Sequence, residues 1–267
     1  MIKKIAHSTV KSLFREYTAL TIKSSDMPKN LDFKKLVMKF DDSKGGCYYI
    51  GQWNSEAEQG KEREGFGIEI TEDQDLYEGF WYQGKYDGFG RLISRRGKIY
   101  QGQFKFGLPH GLGVTMTTHL HDLARENREY GHKGNYEKGA YHGFGILDYK
   151  NEFKYVGFFL KGKMDDPEKG KIEYADGTTY KGGIKKGKKE GKGAINYEDG
   201  SSYIGEFSND KMEGKGEQII MNPDGTYKEK YVGEFSQDLR NGDGDLYTSG
   251  SKVAKVVYNK GELVFDE

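Results

Sequence analysis

The stretch from Gly182 to Lys189 reads Gly-Gly-Ile-Lys-Lys-Gly-Lys-Lys and comes close to a phosphate-binding loop. Such a loop ends in serine or threonine, whose hydroxyl reaches Mg²⁺, and Lys189 stands there instead. The stretch is better read as a charge cluster: Lys181, Lys185, Lys186, Lys188, Lys189 and Lys192 surround a single Glu190. A solvated face is the plain reading, and an anionic surface such as lipid headgroups is the alternative. His119 and His121 could share a strand face, but no cysteine accompanies them, so no zinc site is expected. Aspartates and glutamates are scattered, and no acid pair, nucleophile elbow or triad order is visible. The residues therefore imply no catalytic site, no metal and no cofactor.

Composition narrows the class further. The 267 residues carry 42 basic and 42 acidic side chains, and a balanced charge does not suit a dedicated nucleic-acid binder. Glycine numbers 39, about twice the usual share, with 20 tyrosines, 15 phenylalanines and only 4 prolines. Collagen and disordered linkers are excluded by the scarce proline and the abundant rings. No apolar run nears the ~20 residues that span a bilayer. The single cysteine, Cys47, allows no internal disulfide and fits a reducing compartment.

Glycine at this level calls for a search for repeats. From Tyr77, glycines follow at 79, 84, 88 and 90; from Tyr100 at 102, 107, 111 and 113; from Tyr180 at 182, 187, 191 and 193. The offsets are two, seven, eleven and thirteen each time. His132, Tyr203 and Tyr231 lead similar sets, with Asp210 and Asp238 at offset seven in the last two. Tyr49 and Tyr155 lead two more that are interrupted by insertions. The reading is eight copies with an underlying period of 23.

The unit Y-x-G-x-[FW]-x-x-G-x-x-x-G-x-G resembles the MORN repeat (membrane occupation and recognition nexus). YEGFWYQGKYDGFG at 77–90 and YQGQFKFGLPHGLG at 100–113 carry the likeness most closely. The resemblance covers roughly residues 49–247. It implies a repeat protein with structural or tethering roles. Members accompany kinase, methyltransferase or exchange-factor domains in larger proteins, for which these repeats leave no room here.

Offsets zero, two and four fall on one strand face, because side chains alternate with period two. The ring at offset four recurs as Trp53, Trp81, Phe104, Tyr136, Phe159, Phe207 and Phe235, with Ile184 as the exception. Glycine inside a strand marks close approach of another group. The expectation is that each bare glycine surface, including the offset eleven and thirteen pair, receives a ring from an adjacent hairpin. Asp176-Gly177, Asp199-Gly200 and Asp224-Gly225 suit two-residue hairpin turns, and offset seven suits the turn inside each hairpin. Offset ten, which includes His110 and His142, reads as a polar turn position. The fold expected is mainly β: an elongated single-layer antiparallel meander of about eight hairpins with a short α-helical N-terminal segment. Sixteen strands at ~4.8 Å make a ribbon about 75 Å long.

The domain reading is residues 1–46 as a basic amphipathic helical segment, 47–250 as the repeat array, and 251–267 as a C-terminal cap strand or hairpin. The first segment holds ten basic and five acidic side chains and so carries +5. Ile2, Ile5, Val10, Leu13, Tyr17 and Leu20 align at helical spacing, and a second helix is expected from Asn30 through Phe40. The first helix is read as a cap on the hairpins, with partner docking, membrane-surface binding and a mitochondrial presequence as alternatives.

The functional expectation is a non-enzymatic scaffold linking proteins of a multi-subunit cytoskeletal assembly. The family resemblance suggests a ciliary, radial-spoke-like axonemal setting in the cytoplasm. Tyr77, Trp81, Tyr100, Phe104, Tyr136, Phe159, Tyr203, Phe207, Tyr231 and Phe235 are the partner-binding candidates, as rings lining an exposed trough. The insertion from Thr117 to Tyr130 would stand at its rim. A peripheral membrane tether using the lysine cluster is the alternative. Open strand edges could pair copies into a homodimer, and no nucleic acid is expected.

Overall fold

The computed structural model describes residues 37–41, 47–54, 62–117, 130–248 and 251–264. They form one antiparallel sheet in which the strands follow chain order. The first strands are β1 (Val37–Asp41), β2 (Cys47–Asn54), β3 (Glu62–Ile70), β4 (Leu76–Tyr82), β5 (Lys85–Ile93), β6 (Lys98–Lys105) and β7 (Leu108–Thr117). The middle holds β8 (Tyr130–Glu137), β9 (Ala140–Tyr149), β10 (Phe153–Leu160), the two-residue β11 (Lys163–Met164), β12 (Asp166–Tyr174), β13 (Thr179–Lys185) and β14 (Lys188–Asn196). The sheet finishes with β15 (Ser202–Ser208), β16 (Lys211–Met221), β17 (Tyr227–Ser236), β18 (Leu239–Thr248), β19 (Ser251–Asn259) and β20 (Glu262–Val264). No helix occurs among the described residues.

Two kinds of turn alternate along this meander. Inside each hairpin whose turn is among the described residues, offsets six and seven both take positive φ, as at Gln83-Gly84 (49° and 71°), Lys186-Gly187 (52° and 88°) and Asn209-Asp210 (51° and 75°). Two successive positive φ values define a type I′ turn, whose twist matches the flanking strands. Between hairpins the geometry differs from the expected two-residue turn. At Asp176-Gly177, Asp199-Gly200 and Asp224-Gly225 only the glycine has positive φ. Each is a three-residue loop: the Gly200 amide donates to the Tyr197 carbonyl, and the Tyr197 amide to Ser201. The aspartate carboxylate explains the choice, because it accepts the amide two residues on. Thr178, Ser201 and Thr226 are the donors, at 2.8, 2.8 and 2.9 Å.

The N-terminal end corrects one expectation. Val37–Asp41 is a strand paired on β2, with Val37 opposite Gly51 and Asp41 opposite Cys47, and not the end of a helix through Phe40. The open edge of β2 offers backbone partners all along its length, and the segment completes that ladder. The expected first helix, the histidines at 119 and 121, and the insertion between Thr117 and Tyr130 lie outside the described residues. At the other end β19 and β20 form a hairpin, with Asn259 opposite Glu262.

Candidate functional site

Register places the glycines in one row across the strands. Gly67, Gly79, Gly90, Gly102, Gly113, Gly134, Gly145 and Gly157 pair in succession. A second run links Gly170, Gly182, Gly193, Gly205, Gly216, Gly233 and Gly244. The leading ring of each copy lies over this row, and here the sequence expectation needs revision. The ring comes from the same copy, not from an adjacent hairpin. A Cβ on Gly90 would stand 2.4 Å from the Tyr77 hydroxyl, and one on Gly193 the same distance from that of Tyr180. The hydroxyl fixes the arrangement by donating to the carbonyl three residues on: Tyr77 to Phe80 at 2.8 Å, Tyr100 to Gln103 at 2.7 Å, Tyr180 to Gly183 at 2.8 Å. A ring held flat by its own strand leaves no room for a neighbour's.

The offset-eleven glycines serve a different end from offset thirteen. Trp81 pairs with Tyr86 and Gly79 with Gly90, so Phe80 alone faces three residues of β5. Gly88 sits in this bulge with φ 88°, and Gly111, Gly143, Gly191 and Gly214 repeat it at 63–72°. The requirement is a left-handed backbone rather than space for a ring.

Neighbouring copies meet through the offset-four rings. Trp81 stands edge-on to Tyr49 at 5.2 Å, Phe104 to Tyr77 at 5.3 Å, Tyr136 to Tyr100 at 4.9 Å and Phe159 to His132 at 4.9 Å. Beyond the Ile184 position the pattern resumes, with Phe207 on Tyr180, Phe235 on Tyr203 and Tyr258 on Tyr231. Edge-to-face contact adds to the apolar area each ring buries. All ten rings expected to line a trough are consequently interior: Tyr77, Trp81, Tyr100, Phe104, Tyr136, Phe159, Tyr203, Phe207, Tyr231 and Phe235 are 0–4% exposed. They join copy to copy and leave almost no surface for a partner. Burial pushes the phenols of Tyr77 and Tyr86 well up, and that of Tyr203 up to about 12. Burial likewise raises the Cys47 thiol, which disfavours the reactive thiolate.

Among the eight copies read from the sequence, His132 is the one departure from tyrosine in a leading position. Its ring stacks on Tyr141 at 3.9 Å, and Nδ1 lies 3.0 Å from the Tyr136 hydroxyl. Burial lowers its pKa to about 4, and Nε2 lacks a partner.

Polar clamps at the turns were not legible in the sequence beyond their polarity. Among the described residues each offset-seven amide donates to the previous copy, as Gly107 does to Tyr86 and Gly187 to Met164, both at 2.8 Å. The offset-ten side chain reaches forward to the next turn. Asp87 accepts from the Phe106 amide, Glu190 from Asn209, Glu213 from Gln237, and Asn241 from Lys260. Lys260 belongs to a ninth hairpin of the same build, in which Ala254 and Val256 stand in place of the leading tyrosine and glycine while Tyr258 keeps the ring.

The face opposite the rings is the accessible one, and its two halves differ. Over β3–β10, cross-strand pairs include Phe66 with Phe80, Ile70 with Leu76, Ile93 with Ile99, Ile146 with Val156 and Phe144 with Phe158. Leu112 is 62% exposed and Phe144 50%. Over β12–β18 charged pairs are commoner, among them Lys171 with Lys181, Lys192 with Glu206 and Lys215 with Glu234, although Ala194 with Ile204 is apolar. The lysine cluster divides on this geometry. Lys181, Lys185 and Lys192 are exposed on the opposite face, and Lys186 and Lys188 are exposed at the turn. Lys189 is half-buried over the rings of Tyr174 and Tyr180. The loop-like stretch itself is strand, type I′ turn and strand, without the helix a phosphate loop opens. Among the described residues no group of three or more His, Cys, Asp or Glu side chains is placed to hold a metal ion.

Comparison with known proteins agrees with this anatomy. The MORN repeat model matches residues 77–98, 100–116, 132–152, 180–202, 203–219 and 231–252. The copies led by Tyr49 and Tyr155, both interrupted, are supplied by geometry. ALS2 C-terminal-like protein of Bos taurus is 34% identical over 89 residues, and that of Homo sapiens 33% identical over 89 residues. Each alignment covers 33% of this chain and 9% of the relative, so the chain spans only a small part of the relatives it matches. With six matched copies and two more of the same build, the chain belongs to the MORN-repeat proteins.

Proposed function

We propose that the chain is a non-enzymatic scaffold within a large cytoskeletal assembly. The carrying observation is the serial packing of each ring on its predecessor, which makes one continuous sheet whose inner face is self-contained and whose opposite face and turns are free to carry contacts. MORN repeats serve as scaffolds for interaction or membrane association, and a protein of this build acts by spacing its partners. The finer reading is a cytoplasmic, ciliary position of the radial-spoke kind, with other assembly proteins as partners. Co-sedimentation of the purified chain with axonemes at physiological salt tests it, and a pellet free of the chain would overturn it. Turnover screens test the absence of catalysis.

A second reading, a peripheral membrane tether, is favoured by one specific feature. Lys181, Lys185 and Lys192 gather with the exposed Lys171 on one face of β12–β14. Each lysine near an anionic surface contributes about 1 kcal/mol. Flotation with phosphatidylserine vesicles, lost on joint Lys181→Glu and Lys192→Glu substitution, would support this reading. Equal flotation of the charge-reversed chain would remove it.

A further inference from the structure

The apolar half of the opposite face is symmetrical about β7. Along one row Leu112 stands on β7, with an amide on each neighbouring strand, Gln103 on β6 and Asn135 on β8. Two phenylalanines follow on either side, Phe89 and Phe80 on β5 and β4, Phe144 and Phe158 on β9 and β10. The row nearer the hairpin turns has the same order. Leu108 stands on β7, Lys105 on β6 answers Glu137 on β8, and Tyr82 on β4 answers Leu160 on β10.

Charge follows the same rule. Glu78 on β4 pairs with Arg91 on β5, and Lys154 on β10 with Asp148 on β9. Counted outward from β7, base precedes acid on one side and acid precedes base on the other. The symmetry ends beyond these strands, because β3 carries Ile68 where β12 carries Lys171.

A second copy of the chain is the occupant this pattern fits. Two identical sheets stacked about a two-fold axis along β7 set each strand opposite the one equally far across β7 and keep the rows in line. Phe80 then meets Phe158, Phe89 meets Phe144, and Leu112 meets its own counterpart. Glu78 comes beside Lys154, Arg91 beside Asp148, and Lys105 opposite Glu137. Lys85 and Lys133, the remaining cations on this face of β4–β10, come opposite Ala140 and Gln101, so no like charges meet. A two-fold also keeps the twist of both sheets in step, as aligned packing about 10 Å apart requires.

The area is sufficient. Tyr82, Phe89, Leu112, Phe144, Phe158 and Leu160, together with Leu108 and Met116 on β7, are each 48–62% exposed. At about 200 Å² for a whole side chain they present roughly 800 Å². One partner of a stable interface contributes about 800 Å², and the largest apolar patch of a typical monomer is about 300–600 Å².

We propose that the chain forms a two-fold dimer through the face opposite the rings, centred on β7 and spanning β4–β10. Both ring faces point away from the contact, and the strand edges take no part in it. The inference goes beyond the scaffold reading and concerns the purified chain alone, so loss of axoneme binding would leave it standing.

Sedimentation equilibrium of the full chain tests it. The wild type is expected to sediment as a dimer at micromolar concentration, and a monomer there would overturn the proposal. Leu112→Lys brings two ammonium groups together on the axis and is expected to raise the dissociation constant roughly a hundredfold. Ile204→Lys, at an exposed position on the far half, is expected to leave it unchanged. A dimer that survives Leu112→Lys, or that Ile204→Lys weakens equally, would place the contact elsewhere and overturn the proposal. Charge exchange gives a second readout on exposed side chains. Lys105→Glu alone and Glu137→Lys alone each set like charges together twice per dimer and should weaken it roughly tenfold. An equimolar mixture of the two variants should regain the wild-type affinity, because each chain then meets the opposite charge at both places. A mixture no tighter than the separate variants would overturn the two-fold about β7.

Discussion

Replacing His132 by tyrosine should change how the protein responds to acid. The imidazole is 1% exposed, stacked on Tyr141 and lowered by burial from 6.5 to about 4. A base whose folded pKa lies below its unfolded value stays neutral while the unfolded chain takes up a proton. Stability is therefore full above pH 6.5, falls as pH drops through 6.5 toward 4, and levels off below that. At about 1.4 kcal/mol per pH unit the whole loss is about 3 kcal/mol, of which about 2 kcal/mol has appeared by pH 5. For a chain of this size that is roughly 4–8 °C of melting temperature. Thermal melts at pH 7.5 and pH 5, on the wild type and on His132→Tyr, isolate the term because the other titrating groups are shared. A tyrosine at this place would also carry a hydroxyl toward the Asn135 carbonyl, as its counterparts do three residues on. The variant should be at least as stable at pH 7.5 and should lose about 2 kcal/mol less on acidification. Equal losses in the two proteins would refute the assignment of a neutral, desolvated histidine.

Three further outcomes follow from the packing. Gly79→Ala should cost more than Gly84→Ala: its Cβ would lie 2.5 Å from the Gly90 Cα in the facing strand, whereas Gly84 has open space and only a positive φ to maintain. Denaturant titration should give roughly 1–2 kcal/mol for the turn site and a larger value for the row site, and a reversed order would contradict the glycine row. Tyr180→Phe removes a buried hydroxyl and leaves the Gly183 carbonyl unpaired, so a loss of about 1 kcal/mol is expected by the same titration. Asp199→Ala removes the acceptor for the Ser201 amide and hydroxyl and should cost about 1 kcal/mol in the melt, while Asp199→Asn should retain most of it.

How far the sequence carried can be judged from single positions. Tyrosine, glycine and ring at offsets zero, two and four were readable as one strand face because alternation in a strand is fixed by covalent geometry. Which ring covers which glycine was not readable, since own-strand and neighbour-strand rings satisfy the same alternation. The answer lies in a hydroxyl-to-carbonyl bond that no spacing displays. Offset eleven looked like a second bare surface because the letter glycine does not distinguish missing bulk from positive φ, and Gly88 needs the latter. The Asp-Gly pairs carry the same ambiguity between a two-residue and a three-residue loop, settled at Asp199 by a carboxylate that accepts an amide. The exposed trough expected of the rings was misjudged for a related reason. Conspicuous rings such as Phe104 and Phe235 are interior, and the accessible apolar positions, Leu112 among them, sit at an offset the consensus leaves unspecified.

The β19–β20 hairpin has a bearing on how copies join. It gives Tyr258 to the copy before it and receives the Asn241 clamp at Lys260. It has Ala254 where a successor would look for a leading tyrosine, and Val256 facing Gly244 where the bare row would continue. A molecule assembled by like joining like has no inherent stopping point, and here one hairpin accepts a handshake but lacks the two residues that would extend another. Two side chains thus decide whether the β19–β20 hairpin can receive a further copy, and restoring tyrosine and glycine there would make it a graft site.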